Sequence, residues 1–95
     1  MHARVVRFTD VSRDRIDEII ARVEEEGGPP EGVRSTGMKL LYDADQSTAI
    51  FVGFFASEED LRDADAVFEN MEPGETPGTR ASVDRAEVVL DREAD

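Results

Sequence analysis

Few side chains in this sequence can move a proton, hold a metal or attack a substrate, and they are scattered along the chain. Cysteine is absent, which excludes disulfides, thiolate metal sites and thiol redox chemistry. The one histidine, His2, is of a residue type that can serve as a general base, but a residue beside the terminus is rarely held rigidly enough to act as one. Tyr42, the single tyrosine, ends a predicted strand; its hydroxyl could orient or deprotonate a phenolic ligand, or the ring could be a core-edge aromatic with its hydroxyl in water. Asn70 stands near the end of a predicted helix, where an amide can hold a substrate carbonyl or simply cap the helix. Phe55, Phe68 and Met71 are suited to line a cavity for a small apolar or aromatic molecule, and equally suited to a packed core. Arg7 and Arg85 can meet an interface or a polar ligand group. No Ser-His-Asp set, metal cluster or paired-carboxylate site can be placed, and neither a cofactor nor a catalytic residue is assigned.

Two short patterns have a functional and a plain reading. Gly27-Gly28 could cradle a phosphate, but it follows a helix instead of leading into one, and it lacks the lysine and hydroxyl of a phosphate loop. Asp43, Asp45 and Ser47 have the spacing of calcium ligands without the glycine and distal glutamate that such a loop requires, which leaves a polar turn.

The elements that must position these residues are legible from periodicity. Residues 49–55 are apolar on both alternating sets, with Ile50, Val52 and Phe54 on one side and Ala49, Phe51, Gly53 and Phe55 on the other. A strand of this kind needs cover on both faces. Ser57 then opens a helix, with Asp60 as the third member of a capping box and Glu58 and Glu59 at the positive end of the helix dipole. Leu61, Ala64, Phe68 and Met71 share one face of it, and Pro73-Gly74 stops it near Glu72.

Upstream, residues 2–9 read as a strand with Val6 and Phe8 on one face and Ala3 and Val5 on the other. Ser12 is the expected cap of a first helix, with Val11 and Ile16 as its hydrophobic staple and Ile16, Ile19, Ile20 and Val23 as its apolar stripe. The glycine–proline run at 27–30 ends that helix. Residues 33–42 read as a second strand, joined through the polar turn at 43–46 to the strand at 49–55 and therefore antiparallel to it. Residues 82–90 read as a last, half-buried strand near an edge.

The 95 residues have room for a single domain. A net charge of −12 argues against nucleic acid and anionic membrane surfaces as partners. No apolar run is long enough to span a bilayer and no signal-peptide pattern is present, so a cytoplasmic location is expected. Lys39 is the only lysine beside ten arginines; with so many acids, this composition fits a salt-rich cytoplasm, a GC-rich genome or an ordinary solvated surface.

The order of elements predicts an α+β fold of the ferredoxin-like βαββαβ type: a four-stranded antiparallel sheet, first and third strands central, both helices on one face. The other face would then expose Val52 or Phe51 and its neighbours as an apolar patch. A second copy, packed sheet to sheet about a twofold axis, would bury it, and a homodimer is expected.

The same order, and the segment FVGFFASEEDLRDADAVFENM in particular, resembles the dimeric α+β barrel superfamily, which includes the antibiotic biosynthesis monooxygenase family. The shared features are an apolar third strand, a strand-ending aromatic, a serine-led acidic turn and an amphipathic second helix. The resemblance implies a pocket in each subunit between sheet and helices for a flat hydrophobic molecule such as a quinone or polyketide, or haem in some relatives. It also implies possible oxygenation without a cofactor, in which the deprotonated substrate supplies electrons to dioxygen and the protein supplies confinement and proton transfer. The chain departs from the family in having Phe55 where many members have tryptophan, and Ala64 near the usual place of a helical histidine. Without that histidine no axial ligand for haem is offered. Two functions follow: a dimeric module that binds a small apolar or aromatic molecule without clear catalytic machinery, or a cofactor-independent monooxygenase acting on an aromatic or polyketide-like substrate.

Overall fold

Alternating apolar residues and two serine caps divide the chain into six elements: β1 (His2–Thr9), α1 (Arg13–Glu26), β2 (Gly37–Asp43), β3 (Thr48–Phe55), α2 (Glu58–Glu69) and β4 (Thr79–Glu87). They are seen in a computed structural model that describes residues 1–70 and 77–94. All strand pairings are antiparallel, in the order β2-β3-β1-β4, so the first and third strands are central. This is the ferredoxin-like βαββαβ arrangement expected from the order of elements.

Both helices begin as their sequences require. The Ser12 hydroxyl accepts a hydrogen bond from the Arg15 amide, and the Ser57 hydroxyl accepts one from Asp60, each at 3.1 Å. These bonds satisfy amide groups that a helix start leaves without partners. Helix α1 closes on Gly27, whose φ of 71° is the left-handed conformation glycine adopts without steric cost. Helix α2 closes on Asn70, while Met71 and the expected stop at Glu72 and Pro73 lie outside the described residues.

One face of the sheet carries both helices. Val6, Phe8 and Ala49 pack with Val11 and Ile16 under α1, joined by Leu40, Phe51 and Tyr42. Phe55 packs with Val33, Leu61 and Ala64 under α2, joined by Phe68. The α1 stripe is sealed only over its first half: Ile16 is buried, whereas Ile20 and Val23 are each 40% exposed.

Two strand boundaries differ from expectation. Residues 33–36 do not belong to β2, because the Val33 amide turns back to the Pro30 carbonyl and its side chain drops into the core under α2. Strand β4 begins and ends three residues earlier than its own alternation suggests. Its partner decides this, since β1 offers Thr9 at one end and His2 at the other, and beyond Glu87 the Val88 amide still reaches the Met1 carbonyl.

Candidate functional site

The residues singled out for chemistry do not converge. Tyr42 sits with the α1 core; its hydroxyl donates to the Val11 carbonyl at 2.8 Å, and the Arg13 guanidinium lies 5.8 Å from its ring centre. The hydroxyl ties strand β2 to the turn before α1. Phe55 and Phe68 belong to the separate core under α2. The Asn70 amide donates to the Ala66 carbonyl at 2.8 Å and so closes its own helix end. Met71 is outside the described residues. Among the described residues no group of His, Asp or Glu side chains is placed to hold a metal.

What the fold does assemble is a knot of charge beneath α2. Arg4 lies on central strand β1 with the same parity as Val6 and Phe8, so its side chain enters the helix-covered face and is only 9% exposed. A buried guanidinium needs carboxylates, and α2 supplies two from one helical face. Arg4 Nε donates to Asp65 at 2.8 Å and Nη2 to Glu69 at 3.0 Å, with the group 5.0 Å from the Phe68 ring centre. Arg85 and Arg80 of β4 reach the same carboxylates from the edge, Arg85 Nε to Asp65 at 2.8 Å and Arg80 to Glu69 at 2.8 Å.

The knot sets the protonation of its members. At Asp65, burial pushes the carboxyl upward, but hydrogen bonds from Arg4 and Arg85 outweigh it and hold the group below its ordinary value. Glu69 is lowered chiefly by its hydrogen bond from Arg80. Arg85 is raised by its bond to Asp65. Such groups stay charged and paired, which suits fixing a helix to a sheet better than proton transfer. The signal in the sequence was an arginine at a core-facing position of a central strand, with Asp65 and Glu69 four residues apart on the covering helix.

Two cavities flank this framework. One, of about 380 Å³, lies between α2 and the β1–β4 edge, where Arg62, Asp65, Arg85 and Glu87 make it strongly charged and His2 contributes its imidazole. The other, of about 390 Å³, lies on the opposite face of the sheet, between Phe54, Gly37 and Lys39 and the C-terminal residues Val88 and Leu90, with Met1 beside them. It is a shallow, open groove whose mostly apolar lining is completed by Thr36 and Asp91. Residues 88–91 therefore cross one end of the sheet's open face.

Among the described residues the rest of that face is left open, apart from Ala3, which is buried. Cross-strand register places Ala3, Val5 and Arg7 of β1 beside Phe54, Val52 and Ile50 of β3, with Gly37, Lys39 and Leu41 of β2 and Ala86, Asp84 and Ser82 of β4 at the edges. Leu41 is 49% exposed, and Val5, Ile50, Val52 and Phe54 are half-buried. Val52, not Phe51, is the residue that faces outward. The chain matches no protein-family model, no curated protein and no solved structure. Among the described residues no helix is long and apolar enough to cross a membrane.

Proposed function

We propose that this protein is a homodimeric binding module: two copies pack sheet to sheet through their open faces, and the assembly holds a small apolar or aromatic molecule in the cavity between Phe54, Val88 and Leu90. One observation carries the reading. In a chain of net charge −12, the open face is close to neutral, with Arg7 and Lys39 against Asp43, Asp84 and, at its end, Asp91 around an apolar centre of Val5, Ile50, Val52 and Phe54. Strongly anionic copies can approach through this face, and burying its apolar area supplies the driving force. The likeness to the dimeric α+β barrel superfamily supports the same assembly.

The ligand assignment rests on the second cavity. Its apolar walls and its place at the margin of the face suit a molecule enclosed when two copies meet. Tyr42 and Asn70 spend their polar groups on backbone carbonyls, which favours binding over catalysis.

Native mass spectrometry of the purified protein, followed by titration with anilinonaphthalene sulfonate, tests both parts. The expected result is a dimer that takes up one probe molecule per copy. Leu90→Asp should lose the probe and keep the dimer mass. A monomeric wild type overturns the assembly, and a dimer that binds no probe, or binds it equally after Leu90→Asp, overturns the assigned cavity.

A further inference from the structure

From the pattern of charge and side-chain size on the open face, we infer which twofold axis relates the two copies: it runs along the strands, so that β3 of one copy lies over β1 of the other and Lys39 of each faces Asp84 of the second copy. The inference rests on the dimer proposed above and adds its orientation and its recognition pair.

The register supplies the geometry. Lys39 pairs with Val52, Val52 with Val5, and Val5 with Asp84, so these four residues form one row straight across the open face. The row ends in a cation at the β2 edge and an anion at the β4 edge. Lys39 and Asp84 are both exposed, and neither has an ion-pair partner among the described residues. Every other charge of the middle row is absent, since two valines separate its ends.

Two sheets packed face to face about a twofold axis have two aligned solutions. An axis across the strands sets β2 on β2 and β4 on β4, which brings Lys39 to Lys39 and Asp84 to Asp84, and stacks Phe54 on Ile50. An axis along the strands sets β2 on β4. Both ends of the middle row then meet their opposites, so the dimer gains two ion pairs instead of two like-charge encounters. The sizes agree as well. Leu41 falls opposite Ser82 of the second copy, large against small, and Val52 opposite Val5 at the centre.

The usual rotation between packed sheets, roughly 30°, shifts an edge strand about 7 Å from the centre by about 4 Å. The four-carbon stem of lysine spans that shift. Arg7, the remaining cation of the face, is drawn to the end of the sheet, where it donates to Gln46 at 3.5 Å.

Lys39→Glu and Asp84→Lys test the orientation. Each variant alone places like charges at both ends of the middle row and should weaken its own homodimer at least tenfold. Mixed together they restore opposite charge at both ends, so native mass spectrometry should show a heterodimer favoured over either homodimer. Both positions are exposed on edge strands, and circular dichroism checks that each variant folds. The wild type gives an independent reading: carbodiimide should form an intermolecular amide between Lys39, the only lysine, and Asp84. A preferred heterodimer is expected for either axis; a wild-type dimer whose single variants are undisturbed, with no such amide, overturns the orientation while leaving the dimer intact. A monomeric wild type overturns both.

Discussion

The charge knot under α2 predicts an asymmetric response to mutation. Arg4 is its one sealed member, while Arg80 and Arg85 remain substantially exposed. Arg4→Met removes two hydrogen bonds between charged groups, worth about 1.5–3 kcal/mol each, and a cation–π contact of about 1 kcal/mol. It also removes the cost of keeping a guanidinium out of water, which is several kcal/mol, and methionine refills much of the stem. Asp65 and Glu69 keep Arg85 and Arg80, so neither carboxylate is orphaned. The net loss should be about 1–2 kcal/mol. Removing both carboxylates, Asp65→Ala with Glu69→Ala, is the harsher change, because an uncompensated Arg4 charge costs about 3–5 kcal/mol. A chain of this length has about 5–14 kcal/mol of stability in total, so that variant should stand near the edge of folding. Adding Arg4→Met to it removes the stranded charge and should recover most of the loss. Urea denaturation followed by far-ultraviolet circular dichroism, at low salt, measures all three. The reasoning fails if Arg4→Met costs more than the carboxylate pair, or if the triple variant is no more stable than the double.

The same carboxylates give a pH dependence. Asp65 and Glu69 are lowered in the folded protein, so their contribution is fully present above the ordinary carboxylate value of about 4 and drains away as pH falls through their folded values. Acid also relieves the repulsion of a strongly anionic chain, and subtracting the two proteins' curves removes that shared effect. The stability gap between wild type and Arg4→Met should therefore narrow below about pH 4; a gap constant down to pH 2 would contradict the pairing. Close packing makes a third prediction. A Cβ on Gly78 would overlap the Thr9 carbonyl oxygen, whereas one on Gly28 would meet open space. Gly78→Ala should lower stability by about 1–3 kcal/mol, and Gly28→Ala should leave the denaturation midpoint close to wild type.

Much of the architecture was legible because it follows from local physics. Period-two alternation in β1 and β3, the serine caps at Ser12 and Ser57 and the stop of α1 at the glycine–proline run each depend on residues a few positions apart, and each stands where the pattern placed it. The order of those elements left one arrangement of four strands with two helices on one face. The strand ends were less legible, because a strand stops where its partner stops: β4 takes its limits from β1, and Val33 left β2 for a hole under α2 that no local pattern reveals.

The candidate site depended still more on distant parts of the chain. Tyr42, Phe55, Phe68 and Asn70 were chosen for what their side chains can do, but Tyr42 went to one core and the two phenylalanines to another, and two polar groups were taken by backbone carbonyls. Arg4 became the centre of a five-residue charge knot only when α2 was laid across β1 with β4 alongside. By itself the sequence determined the elements, their order and the surplus of negative charge. Only the tertiary structure decided which side chains meet, because register between strands far apart in the chain sets Lys39, Val52, Val5 and Asp84 in a single row.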